Sequence, residues 1–254
     1  MKLLKLNTRG LIVVLAWFLP AMAIGQTTKN ISSISQFWAG YYNQTRLSKH
    51  WGLWTDLHLR TKEDFASNFS QSILRVGGTY YLTDNTKLTL GYAYVSLYPG
   101  DNHANVTQPE HRIWQQVQWH VKFPRLRLMH WIRLEEKFKH KILNNDALAD
   151  GYQFNWKLRY NFLFNTPLNR KAFAPGTLSF VLNDELHVNF GKEIVYNYFD
   201  QNRFFVGFSY HTTPTDNLQF GYMNLFQQLP AGNSYKDIHT LRVFYFHNLD
   251  LRKK

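Results

Sequence analysis

Residues 153–162 read Gln-Phe-Asn-Trp-Lys-Leu-Arg-Tyr-Asn-Phe, a polar/apolar alternation without a break. Phe154, Trp156, Leu158, Tyr160 and Phe162 share one face; Gln153, Asn155, Lys157, Arg159 and Asn161 share the other. Successive strand side chains point to opposite sides, so a β-strand gives this stretch one apolar wall and one charged wall, whereas a helix scatters both sets around its axis. A strand of about ten residues, aromatic on one side and charged on the other, suits a transmembrane barrel with lipid outside and water inside.

The same period recurs along the chain. Trp51, Leu53, Thr55, Leu57 and Leu59 alternate with Trp54, Asp56, His58 and Arg60, and Leu88, Leu90, Tyr92 and Tyr94 fall together. Ile113, Val117, Trp119 and Val121 oppose Glu110, Arg112, Gln116, Gln118 and His120; Ile132, Leu134 and Phe138 oppose Trp131, Arg133, Glu135 and Lys137. Asn183, Glu185, His187 and Asn189 face away from Leu182, Leu186 and Val188. About eleven strands are read in this way, joined by connections that alternate short and long. Single-chain bacterial barrels have an even number of strands. The expectation is therefore an all-β antiparallel transmembrane barrel of about 12 strands (10–12), with residues 26–35 supplying the twelfth strand or threading the lumen as a plug. Gly77, Gly78 and Gly91 are expected to ease curvature of the wall. The rival fold is a soluble exported β-sandwich.

Composition agrees with strands. The chain of 254 residues is 44% hydrophobic and 17% aromatic and has no cysteine, and its mean hydropathy of −0.39 is too polar for a bundle of membrane helices. Lys2, Lys5 and Arg9 precede the apolar run Leu11 to Leu19, and Ala21, Ala23 and Gly25 follow. That layout predicts a cleaved secretory signal over residues 1–25 and a barrel over 26–254, placed in an outer membrane. Without those three basic residues the net charge of +12 becomes +9 (12 − 3). Lys and Arg are dispersed among strands rather than clustered on a helix, which argues against nucleic acid and for outer-membrane lipids or small anionic solutes as partners. The sequence does not fix an oligomeric state.

At Glu110-His-Arg-Ile-Trp-Gln-Gln, Arg133-Leu-Glu-Glu-Lys-Phe, Asn183-Asp-Glu-Leu-His-Val-Asn-Phe and Phe199-Asp-Gln-Asn-Arg the sequence resembles the DUF2490 family, Bacteroidota outer-membrane barrels without an assigned activity. The resemblance implies an outer-membrane β-barrel and carries no catalytic residue.

A lipid-facing charge at mid-bilayer costs roughly 2–4 kcal/mol. Arg75, Glu110, Arg112, Arg133, Glu135, Lys137, Arg159, Glu185, His187 and Arg203 are accordingly expected to face the lumen as a ladder of charges. The ladder has two readings, a filling that stiffens a plugged barrel or the lining of a narrow pore or binding barrel for polar or anionic solutes. A lipid-modifying enzyme is the third. His58, His120, His187 and His239 are possible bases, Ser70, Ser72, Ser179 and Ser209 possible nucleophiles, and Glu185 beside His187 a possible orienting pair. Yet the sequence has no nucleophile elbow, metal-ligand motif or phosphate loop, so neither metal nor cofactor is expected. The Asn-X-Ser/Thr sites at Asn30, Asn43, Asn68 and Asn105 are incidental in a bacterial barrel.

Overall fold

A computed structural model describes residues 28–252 apart from 64, 66, 101, 102 and 170–172. The expected signal segment lies outside the described residues. Eleven strands follow one another: β1 (Asn30–Arg46), β2 (Trp51–Glu63), β3 (Ser67–Tyr81), β4 (Thr86–Leu97), β5 (Gln108–Phe123), β6 (Leu126–Ile142), β7 (Leu148–Pro167), β8 (Leu178–Phe190), β9 (Phe199–His211), β10 (Asp216–Gln228) and β11 (Ser234–Asp250). Each pairs antiparallel with the next, and β1 pairs with β11 to close the barrel. No helix among the described residues is long and apolar enough to cross a membrane, which has no bearing on strands.

The strand count corrects the expectation of twelve. Residues 30–35 form neither a separate strand nor a plug; they lengthen β1, whose seventeen residues pair with β11 from Asn30↔Ser234 to Arg46↔Asp250. That pairing is parallel. Strand direction alternates around the ring, and with an odd number it must fail to alternate once; the closing pair is where it fails.

The register fixes the shape. Starting at Arg46 and stepping to the paired residue on each strand leads through Gly52, Thr79, Thr89, Gln116, Arg133, Arg159, His187, Gln201, Gln227 and Lys236. The circuit returns to β1 at Ser32, fourteen residues from its start (46 − 32). With about 3.3 Å per residue and about 4.8 Å between strands, this stagger tilts the strands about 41° and gives a backbone radius of about 11 Å. Arginine side chains from several strands line one cavity inside such a bore.

Alternation sorts the side chains as the sequence leads one to expect. Leu53, Leu57, Leu74, Leu90, Leu158 and Phe204 are exposed on the outer wall, while Asp56, Arg75, Glu135, Arg159 and His187 are buried inside. Two glycine pairs shape the inner wall. Gly77 faces Gly91 across β3 and β4, and a Cβ on Gly91 would lie 2.5 Å from the Trp114 ring. Gly207 faces Gly221 across β9 and β10, where a Cβ on Gly207 would lie 2.5 Å from the Phe205 ring. Each pair is a dimple that seats a fully buried aromatic. Gly78, by contrast, has open space around it.

The turns after β1, β3, β5 and β9 share one rim with the longer connection after β7. At that rim Arg46 bonds Asp84 of the β3–β4 turn at 2.7 Å, and Arg252 reaches the same carboxylate at 3.8 Å, so both strands of the closing seam are tied to one turn there.

Candidate functional site

All ten residues of the expected charge ladder lie inside the barrel. The structure adds Asp56, Arg60, Lys157, Asp200 and Arg242, buried on the same inner wall. Along each strand the interior changes character from the short-turn rim upward, and three zones result.

The middle zone is a layer of seven arginines: Arg60, Arg75, Arg112, Arg133, Arg159, Arg203 and Arg242. Four carboxylates answer them. Asp56 takes Arg75 at 2.6 Å, and Glu135 takes Arg159 at 2.5 Å and Arg112 at 3.2 Å. Glu110 bonds Arg112, and Glu185 bonds Arg159 and holds Arg203 at 3.6 Å. The layer therefore keeps a charge of about +3, and three guanidiniums carry it. Among the described residues no carboxylate lies within 4 Å of Arg60 or Arg242, and Arg133 has only Glu135 at 3.8 Å. Aromatic faces and amides hold these three instead. Arg60 lies 3.5 Å from the Trp38 ring centre, Arg242 lies 3.5 Å from Phe205 and donates to Gln219, and Arg133 lies 4.2 Å from Trp114 and donates to Gln116. Stacking on an aromatic ring costs a guanidinium little of its positive field. The Nε atoms of Arg60, Arg75 and Arg242 have no acceptor among the protein atoms. A buried layer short of acceptors suits a group that brings anionic oxygens.

Above this layer, toward the other rim, ion pairs fill the bore. Lys157 bonds Asp200 at 2.6 Å, Asn189 donates to the same carboxylate, Lys137 stands 3.4 Å from Glu110, and His187 stands 2.8 Å from Glu185.

Below it the bore opens. A cavity of about 120 Å³ touches Arg60, Arg75, Arg133 and Arg242, and a wider vestibule of about 510 Å³ extends toward the short-turn rim. The two share Gln44, Gln118, Met129, Leu163, Gln219 and Phe246 as walls, so one leads into the other. On this side the arginines form the floor of the cavity.

Two features depart from a purely apolar outer wall and a purely polar inner one. Trp38, Trp54, Trp114 and Phe205 are apolar residues on the inner face, where they support the arginines. On the outer wall stand three carboxylates, each hydrogen-bonded to an amide on the neighbouring strand: Glu136 by Gln115 at 3.1 Å, Asp184 by Asn202 at 2.8 Å and Asp237 by Asn224 at 2.6 Å. The odd/even phase of Asp184 against Asn183 and Glu185 is the signal that places it outside. Tyrosine–histidine pairs decorate the same outer wall, Tyr41 with His247, His130 with Tyr160 and Tyr222 with His239.

The candidate catalytic groups do not assemble. His58, His120 and His187 are inside and His239 is outside, beside Tyr222. Ser70 donates to the Arg60 carbonyl, Ser72 accepts from Tyr98 and Ser209 donates to Asn217. Ser179 is fully buried and lies 3.4 Å from His211, with no carboxylate within 4 Å of that imidazole among the described residues. Glu185, beside His187, is already engaged by Arg159 and Arg203. Among the described residues no group of three or more His, Cys, Asp or Glu side chains is placed to hold a metal.

Comparison with known proteins gives one family. The family described as "Protein of unknown function (DUF2490)" matches residues 35–236, and the chain belongs to it. No curated protein and no solved structure matches.

Proposed function

We propose that this DUF2490 barrel sits in an outer membrane and binds a small anionic solute in its lumen, loaded from the rim of short turns. Two features of the wall support the membrane location. The outer wall is largely apolar and aromatic, and a thirteen-residue strand tilted about 41° rises about 32 Å, against a hydrocarbon core of about 30 Å. A closed barrel also leaves no backbone polar group unpaired at a sheet edge facing lipid.

One observation carries the binding reading: seven arginines of the inner wall, five of them buried, meet four carboxylates, and the surplus faces a cavity that opens into a vestibule. A filling that served stability alone would gain by matching its charges, because an unpaired buried ion costs several kcal/mol. The ion pairs packed into the upper half support a blind cup over a through-pore.

The test uses the full chain refolded into lipid vesicles. Location is read by cell fractionation and by heat-modifiable migration; recovery as a soluble species without detergent overturns the membrane reading. Binding is read by the fluorescence of the interior tryptophans on titration with phosphate and acetate. A saturable change, abolished in the Arg60→Gln/Arg242→Gln double variant, is expected, together with no steady single-channel conductance in planar bilayers. A flat titration of wild type, or one unchanged in the double variant, overturns the binding reading.

A further inference from the structure

Five strands of the bore carry apolar residues on the inner wall between the arginine layer and the mouth. On β1 Tyr42 follows Trp38, on β2 Trp54 precedes Asp56, on β6 Met129 precedes Arg133, on β7 Leu163 follows Arg159, and on β11 Phe244 and Phe246 follow Arg242. These six residues line the passage at the arginine layer. Tyr42 binds the ring together, stacked on Phe246 at 4.7 Å and edge-on to Phe244 at 5.4 Å and Trp54 at 6.2 Å. Beyond this collar the vestibule turns polar, with Gln44, Gln118, Asn165, Asn217 and Gln219 in its wall. From the floor outward the bore thus runs cationic, apolar, then amide-rich.

An inorganic anion uses the floor and gains nothing from the collar. Water in the collar meets ring faces and a thioether, which replace few of its hydrogen bonds, so apolar matter displaces it favourably. We infer that the ligand is an amphipathic anion, a carboxylate-type head joined to a short alkyl or aryl body, with the head among Arg133, Arg242 and Arg60 and the body threaded through the collar toward the vestibule. This rests on the anion-binding reading and specifies its substrate class. The cavity agrees in size: about 120 Å³ between the floor and the vestibule holds a body no larger than a small ring or a few methylenes, and a longer tail extends into the vestibule.

The experiment measures Kd for acetate, butyrate, hexanoate, octanoate and benzoate, with inorganic phosphate as the headgroup-only probe, on wild-type protein in vesicles at constant ionic strength. Burial of one methylene is worth about fourfold in Kd. The expected result is stepwise tightening along the series, levelling once the tail emerges from the collar, with benzoate at least tenfold tighter than acetate. Met129→Gln keeps the side-chain length but makes the collar polar, and the step in Kd per methylene should shrink; steps as large as in wild type would overturn the collar's part in binding. Equal affinity for phosphate, acetate and octanoate overturns the amphipathic assignment and leaves the anion site standing. Absence of binding by every member overturns both.

Discussion

Glu135 supports two opposite predictions at once. Its carboxylate is fully buried and takes Arg159 at 2.5 Å, Arg112 at 3.2 Å and Arg133 at 3.8 Å. Glu135→Gln keeps the shape and removes the charge, so the arginine layer goes from a surplus of about +3 to about +4. Stability should fall. Breaking a buried ion pair by removing one partner costs about 3–5 kcal/mol, and the lower end applies because Arg159 keeps Glu185 and Arg112 keeps Glu110. Anion affinity should rise. Two residues along a strand are about 7 Å apart, so an anion held by Arg133 is relieved of a negative charge at about that distance. At an effective dielectric of about 20 the relief is about 2.4 kcal/mol, or about fiftyfold in Kd; the wet vestibule screens part of it, leaving at least about tenfold. Urea unfolding in vesicles reads the first effect, and fluorescence titration with benzoate at two salt concentrations reads the second. Weaker or equal benzoate binding by a folded Glu135→Gln protein would refute the view that surplus positive charge makes the site.

Three further outcomes test the wall around the site. Gly91→Ala should destabilise the barrel by about 1–3 kcal/mol in urea unfolding, because the new methyl would collide with the Trp114 ring and the Val76 carbonyl; an unchanged midpoint would show that this dimple is not needed. Cysteine at Leu158 should react only with a lipid-soluble thiol reagent, cysteine at Asn165 in the vestibule with a water-soluble one, and cysteine at Arg159 slowly with either; equal labelling of all three would break the assigned register. The Asp184→Leu/Asn202→Leu double variant exchanges a carboxylate–amide pair for apolar surface on the outer wall, so in lipid it should raise stability by about 1 kcal/mol or more; loss of stability in vesicles would argue that this wall is not bathed in lipid.

Much of the fold was legible because a period of two is a local property. Residues 153–162 reveal their two walls with no knowledge of their neighbours, and the interior position of Glu135, Arg159 and Glu185 follows from phase alone. Closure is different, since the pairing of Asn30 with Ser234 joins the two ends of the sheet and leaves no mark in either segment. Expecting an even number of strands therefore misassigned residues 30–35. The arginine layer was legible in part. Arg75, Arg112, Arg133, Arg159 and Arg203 were expected in the lumen from their phase, and Arg60 shares a polar face with Asp56 and His58, but which guanidinium goes unpaired depends on contacts between strands. Trp114 and Phe205 were illegible for a related reason, because a large ring on an inner wall needs a glycine pair brought beside it by strand pairing, Gly77–Gly91 for Trp114 and Gly207–Gly221 for Phe205.

The parallel seam has a consequence for how the chain is laid out. Asn30 lies at one rim and Asp250 at the other, whereas an antiparallel closure would leave both at the same rim. A covalent link between them must span the rise of a seventeen-residue seam, about 40 Å or about twelve extended residues, and must run down the outside of the wall or through the bore. Circular permutation through a short loop is thus closed to this barrel. Epitope tags placed just before Asn30 and just after Asp250 would emerge on opposite sides of whatever the barrel spans.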